Sequence, residues 1–363
     1  MKKFGNLFFR PALALVVMML VVAAAMPTSA SAMLALQSDD FNRCTPDPMW
    51  TFQGNGVAGA KAEIIGAYSE DSALQLTLPA GQDATFSDSN VLAPRVITEI
   101  SDTSFAVEIK LDGANLASNT ADFVTQGLLF RDASDPGAVE WLRFDFNSRN
   151  GVLNVFISYL QTDALGEPET VHVIRGLALL AGGTLAGNAP LYLNVAYDKD
   201  NGEWGAYWQR SDDPTDNSYY FEFEEADIRK AVPPDMPISI DFDVDAVAIF
   251  VANSGSGLPA SIAKVDYFEV EAAPIADEDG IVLTTEVNPA ASAGTINQTA
   301  CVGNQVTLEA VAEAGYEFDN WSGDASGETT TTTVTMTADR NVIANFTQVA
   351  VLDLFLYLPT VSK

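Results

Sequence analysis

Apolar and polar residues alternate in short runs along most of this chain, with turn-forming residues between the runs. In Trp141–Phe146, Leu142, Phe144 and Phe146 fall on one side of an extended segment, and Trp141, Arg143 and Asp145 fall on the other. In Leu153–Tyr159, Leu153, Val155, Ile157 and Tyr159 oppose Asn154, Phe156 and Ser158. The stretch Leu191–Arg210 carries the strongest hairpin signal, because Asn201 and Gly202 both accept the positive φ of a type I′ turn. With those two as the central pair, Val195 lies opposite Trp208 and Tyr197 opposite Ala206. Leu193, Val195, Tyr197, Trp204 and Trp208 then share a core face, while Tyr192, Asn194, Tyr207 and Gln209 share the other. No long helical period appears beyond the first 32 residues. Many short strands between Gly, Pro, Asn and Asp predict an all-β fold, a sandwich or a barrel.

The beginning of the chain follows a different pattern. Lys2, Lys3 and Arg10 precede and flank an uncharged apolar run at 12–25, and Ala30-Ser31-Ala32 is a small-x-small cleavage signal. Residues 1–32 therefore read as a signal peptide, and the apolar run is short for a bilayer span. The expectation is an exported protein, secreted or held at a cell surface, with no insertion into a lipid bilayer after cleavage. Residues 38–273 are long enough for one large sandwich with its own core. The polar segment 274–280, PIADEDG, reads as a linker, 281–347 as a second, small β domain, and 349–363 as an apolar tail too short to cross a membrane. In the small domain, Tyr316, Phe318 and Trp321 supply the large side chains that so short a module needs for a core. Residues 334–346 read as its closing hairpin, turning at Ala338–Asn341.

Charge narrows the partners. Beyond residue 32 the chain carries 15 Lys and Arg against 49 Asp and Glu, a formal charge of −34. Such a surface repels nucleic acid and anionic lipid. It serves solubility, or the binding of divalent cations. The loop SDDPTDNS holds Asp212, Asp213 and Asp216 as hard oxygen ligands, so calcium is the one candidate cofactor, although acidic loops are more often simply solvated. The turn DKDNGE at 198–203 is not an EF-hand, since its glycine comes one place early and Gln209 stands where Glu is needed. Two cysteines and one histidine cannot build the usual Cys/His zinc site. In an oxidising compartment Cys44 and Cys301 can bridge and pin one domain to the other, but the sequence does not fix their separation.

Two resemblances add to this reading. Residues 315–347 place Tyr316, Phe318 and Trp321 ahead of a Ser-Gly-Asp turn, a threonine run and a strand ending in Asn-Phe. That order resembles the divergent internalin-type B-repeat of bacterial secreted and surface proteins, which implies a β-grasp-like module with a spacer or adhesive role. The larger segment runs SDDFN, Trp50, GLLFRD, EWLRFDF, LYLNVAYDKDNGEWGAYW, VAIFVANS and KVDYFEV in order. It resembles the concanavalin A-like, or laminin G-like, jelly-roll sandwich, whose non-catalytic members bind sugars or proteins and a minority of whose members cleave glycans. The resemblance to the enzymes fails at their Glu-x-Asp-x-Glu strand: the nearest segment offers Asp241, Asp243 and Asp245, and Glu222, Glu224, Glu225 and Asp227 match no better. His172 has no Gly-x-Ser-x-Gly partner, and casting it with Tyr192 and Tyr207 as a polysaccharide lyase site rests on residue type alone. Recognition of a glycan, or of another cell-surface ligand, needs flat aromatics beside planar hydrogen-bonding groups. Trp141, Arg143, Asp145, Tyr192, Asn194, Tyr207 and Gln209 supply both if their strands adjoin, with Arg131 at the edge of that single platform. Aromatics in such positions also serve plain cross-strand packing.

Overall fold

The computed structural model describes residues 35–86, 92–113, 116, 123–135, 138–149, 152–163, 168–178, 190–209, 219–224, 242–254, 260–275 and 280–349. These residues are almost entirely strand. The first sheet runs, in spatial order, β1 (Thr51–Gln53), β4 (Arg95–Glu99), β13 (Ala246–Ser254), β6 (Phe123–Asp132), β7 (Ala138–Arg149), β8 (Val152–Asp163) and β9 (Pro168–Ala178). The second runs β12 (Tyr219–Glu224), β11 (Glu203–Gln209), β10 (Pro190–Asp198), β5 (Phe105–Asp112), β14 (Ser261–Val270), β3 (Ala73–Leu78) and β2 (Lys61–Ile65). Every neighbouring pair in both sheets is antiparallel.

The inner faces of the two sheets meet in one apolar core, to which Leu142, Phe144, Phe146, Leu193, Val195 and Trp208 all contribute. Trp204 sits among Phe105, Phe130, Phe144, Tyr197 and Phe242 with ring centres 4.4–6.0 Å apart. The alternation in the sequence identified these inward faces correctly. The β10–β11 register differs from the expected one: Val195 pairs with Ala206 and Tyr197 with Trp204, so the loop holds Lys199–Gly202. Asn201 N donates to Asp198 O, and Gly202 takes the positive φ. The shift is by two residues, an even number, so every side chain keeps its face.

A second group of strands forms two three-stranded sheets. One is β15 (Leu283–Asn288), β20 (Arg340–Gln348) and β18 (Tyr316–Gly323), with β15 and β20 parallel; the other is β16 (Gly294–Val302), β17 (Gln305–Ala312) and β19 (Thr331–Thr335). The expected closing hairpin does not form, because β19 pairs with β17 while β20 pairs with β15 and β18. Val334 and Met336 instead face Val342, Ala344 and Phe346 across the module's core. Two strands that each bury one face can lie side by side or face to face, and periodicity alone does not choose between them.

Both groups of strands belong to one compact unit. The turn between β2 and β3 carries Ala67 and Tyr68 into the second module's core, beside Leu283, Val306 and Trp321. Leu283 N donates to Tyr68 O at 2.6 Å, and Asn42 Nδ2 donates to Ile281 O at 3.3 Å. A disulfide joins Cys44 to Cys301, with Cα atoms 5.0 Å apart. No helix among the described residues is long and apolar enough to cross a membrane.

Candidate functional site

The eight residues expected to form one platform are divided between the two sheets. Arg131 lies on β6 and Trp141, Arg143 and Asp145 on β7 of the first sheet; Tyr192 and Asn194 lie on β10 and Tyr207 and Gln209 on β11 of the second. All point away from the shared core, so the two sets occupy opposite outer faces of the sandwich and cannot touch one ligand together. The single platform is therefore corrected to two faces. The period of a strand tells which residues share a side, and it is silent on which sheet the strand joins.

The face on the first sheet is closed. Arg95, Phe250, Gly127, Asp145 and Phe156 line up in one cross-strand row over β4, β13, β6, β7 and β8. Phe86, beyond β3, lies over this row. Phe86 sets its ring edge-on to Trp141 at 5.5 Å, and Arg95 places its guanidinium 4.7 Å from the Trp141 ring. Arg143 Nη1 donates to Phe86 O at 2.5 Å, and its Nε lies 2.6 Å from Asp145 Oδ2. Trp141 is left 6% exposed and Asp145 0%. Burial pushes the Asp145 carboxyl up to about 6 despite the neighbouring Arg143, and Oδ1 has no hydrogen-bond partner. Burial, with Arg131 nearby, pulls Arg95 down to about 10. Arg131 is held by Asp245 at 2.7 Å and lies 3.8 Å from Glu99. These side chains make a latch between a loop and a sheet.

On the second sheet no described segment folds over the four positions, although Ala106 and Ala196, further along the same outer face, are buried. Tyr192 pairs in register with Gln209, and Asn194 with Tyr207, so two aromatics and two carboxamides alternate like squares on a board. All four are half-buried. On β5, Lys110 lies opposite Tyr192 and Glu108 opposite Asn194. Next on β14, Tyr267 lies opposite Lys110 and Glu269 opposite Glu108. Tyr267 donates its hydroxyl to Glu108 Oε1 at 2.6 Å; burial first, then that carboxylate, raise its pKa. Lys110 is paired with Asp266 at 2.6 Å. Asn194 Oδ1 is a buried acceptor with no hydrogen-bond partner, a condition that protein interiors rarely leave standing.

Sequence reasoning missed Tyr267, Glu108 and Lys110. Strict alternation after Ala263 and Val265 places Tyr267 inward and Phe268 outward. A bulge between Val265 and Tyr267 reverses them, which buries Phe268 and turns Tyr267 onto the outer face. Lys110 and Glu108 were legible as outward positions in FAVEIKLD, but nothing local places β5 beside β10.

Of the acidic strand expected at 241–245, residues 242–245 are not in a strand, which begins with β13 at Ala246, although Phe242 and Val244 are buried and Asp243 and Asp245 half-exposed. Asp245 bonds Arg131, and Asp243 lies 3.9 Å from Lys199, which also pairs with Asp102. Asp243 and Asp245 thus keep the expected alternation, but each lies beside a cation of its own. His172 belongs to β9 of the first sheet, away from the β10–β11 face that carries Tyr192 and Tyr207. Glu222 is exposed on β12. Asp212, Asp213, Asp216, Glu225, Asp227 and Asp241 lie outside the described residues, as does the side chain of Glu224. No cluster of three or more metal-ligating side chains occurs among the described residues.

Residues 283–350 match the sequence model of the divergent InlB B-repeat domain. The second group of strands is therefore the B-repeat module. No curated protein matches the chain. Among solved structures, the winged bean acidic lectin complexed with methyl-α-D-galactose is 11% identical, with a TM-score of 0.35, over 64% of this chain and 96% of that one. A legume lectin-like domain from Entamoeba histolytica gives 11% identity and a TM-score of 0.33, over 61% and 88%. Lectin I from Ulex europaeus, in complex with the methyl glycoside of α-L-fucose, gives 14% and 0.32, over 64% and 95%. Likenesses this distant carry no argument about activity, which rests on the residues.

Proposed function

We propose that the chain is an exported, non-catalytic binding protein, secreted or surface-held, whose sandwich recognises a glycan through the outer face of the second sheet. The observation that carries this reading is the alternating, half-buried block of Tyr192, Gln209, Asn194 and Tyr207 on adjacent strands. Half-exposed tyrosines offer flat apolar surface to sugar rings, and carboxamides offer donors and acceptors to hydroxyls. Tyr192 and Tyr267 stand two strands apart, about 10 Å, which suits an oligosaccharide better than a single ring. The B-repeat module, fixed to the sandwich by the disulfide and by Tyr68, then serves as a rigid mount.

A glycan array on residues 33–363, run beside a reducing-sugar release assay, tests the reading. Binding without release is expected. Tyr207→Ala and Tyr192→Ala should each weaken it roughly tenfold or more. Sugar release would favour an enzyme, and silence in both assays a purely structural component. Trp141→Phe is the control on the closed face and should leave affinity unchanged.

A further inference from the structure

The turn that joins β10 to β11 carries chemistry of its own. The chain holds three Asn-Gly pairs, Asn55-Gly56, Asn150-Gly151 and Asn201-Gly202, the second of which lies outside the described residues. In such a pair the glycine nitrogen, with no Cβ beside it, can attack the amide carbon of the asparagine side chain. A C–N bond forms to close a cyclic imide, and the side-chain amide group departs as ammonia with the proton of the attacking N–H. Water then opens the imide at one of its carbonyls and leaves either aspartate or isoaspartate. This lability is one reason that asparagine is scarce in proteins built for heat. The two described pairs hold their carboxamides differently. Asn55 is half-buried, and its Nδ2 donates to Ala93 O at 2.7 Å and to Gln53 O at 3.4 Å, which ties it to a segment distant in sequence. Asn201 is exposed, and its Nδ2 donates within its own turn, to Asp198 Oδ2 at 2.6 Å. Water replaces such an exposed bond at small net cost, whereas freeing the Asn55 carboxamide breaks bonds in a part-buried setting.

We propose that Asn201-Gly202 is a self-modifying turn, in which the Gly202 nitrogen converts the Asn201 carboxamide to a mixture of isoaspartate and aspartate while Asn55 persists. Isoaspartate runs the main chain through its Cβ and so lengthens the turn. Either product adds a carboxylate to a turn that already holds Asp198, Asp200 and Glu203. Both changes act on Asp198 and Glu203, the pair that closes the hairpin carrying Tyr192, Asn194, Tyr207 and Gln209. The inference does not depend on the glycan-binding reading. It gives that hairpin a lifetime set by its own sequence.

The test holds the oxidised protein, residues 33–363, in warm and mildly alkaline buffer beside a synthetic peptide of residues 196–206, and follows both by peptide-mapping mass spectrometry. Asn201 in the folded chain should convert within about tenfold of the peptide's rate, and at least about tenfold faster than Asn55. Isoaspartate should appear among the products, because direct hydrolysis of a carboxamide by water yields aspartate alone. Gly202→Ala, which sets a Cβ beside the attacking nitrogen, should slow the conversion at least about tenfold. An Asn201 that stays intact while the peptide converts overturns the proposal. So does an Asn55 that converts as fast as Asn201, since the folded turn then selects nothing. Aspartate without isoaspartate overturns it as well, by removing the backbone nitrogen from the reaction.

Discussion

Tyr68 offers the sharpest probe of how the two modules are joined. It leaves the β2–β3 turn with φ of 64°, a left-handed conformation that bulky residues avoid, and it is 8% exposed within the core of the B-repeat module. Two contributions oppose each other at this position. Truncating a buried aromatic to alanine costs about 3–5 kcal/mol through lost burial and the cavity left behind. The left-handed backbone costs any residue with a Cβ about 1–2 kcal/mol, and glycine escapes that, at an entropic loss of about 0.5–1 kcal/mol in the unfolded chain. Tyr68→Ala should therefore destabilise the module by about 3–5 kcal/mol, and Tyr68→Gly by roughly 0.5–1 kcal/mol less, although it removes one more carbon. Differential scanning calorimetry of the oxidised chain reads this directly. In a module of this size each kcal/mol moves the melting temperature by about 4–8 °C. If Tyr68→Gly melts below Tyr68→Ala, the backbone is not held left-handed. If neither variant shifts the transition, the sandwich does not complete the B-repeat core, and the account of a rigid mount fails.

Three further outcomes follow from the same geometry. Asp145 binds its proton more tightly folded, near 6, than unfolded, near 3.8, so its contribution is present below about pH 4 and is lost as pH rises through 6. Two pH units correspond to about 3 kcal/mol, and the unfolding free energy of the wild type relative to Asp145→Asn should fall by about that much from pH 4 to pH 7; parallel curves would remove the buried carboxylate from the account. A Cβ on Gly127 would fall on the Phe144 carbonyl oxygen and 2.7 Å from Asp145 Cα, so Gly127→Ala should cost about 1–3 kcal/mol or more in a urea melt, against a few tenths if β6 and β7 can part. The Cys44–Cys301 bridge spans 257 residues, and chain entropy assigns such a loop about 5 kcal/mol. Reduction should lower the melting temperature, and thiol titration of the denatured, unreduced protein should find no free thiols; two would refute the bridge.

How much of this was legible depended on the range of the interaction. Leu193, Val195, Tyr197, Trp204 and Trp208 announced their core face through period two, and even a turn two residues longer than expected left that face unchanged. The aromatic cluster of Tyr316, Phe318 and Trp321 marked the B-repeat module for a similarly local reason. Partnership between distant strands was not legible. Trp141 and Tyr207 carry equivalent outward patterns, yet they sit on separate sheets because β7 joins β6 and β8 while β11 joins β10 and β12. The bulge that turns Tyr267 outward left no mark in the alternation, since one extra residue reverses the phase that the pattern is read by. Phe86 and Arg95, which close the first face, stand in a segment without strong periodicity, and only their tertiary contacts show what they cover.

The contrast between the two outer faces is what gives the binding reading its location. Both present aromatics, carboxamides or charges in alternating positions, so composition cannot rank them. On the first sheet the charged groups are consumed internally: Arg143 holds Asp145 and the Phe86 carbonyl, Arg131 holds Asp245, and Arg95 covers Trp141. Desolvating these charges stabilises the fold little, because burial opposes the attraction within each pair. Their physical consequence is to fix the loop over the sheet. On the second sheet the lysines are also paired, but the tyrosines and carboxamides stay half-exposed, and Asn194 keeps an acceptor that no protein donor meets. A buried polar group left in that condition costs the folded chain stability. The recognition surface is therefore to be sought on β10 and β11, where no described segment folds over the tyrosines and carboxamides, and Asn194→Leu makes the distinction measurable: it should raise stability or leave it level while weakening binding, whereas a merely structural asparagine would lose stability and keep the ligand.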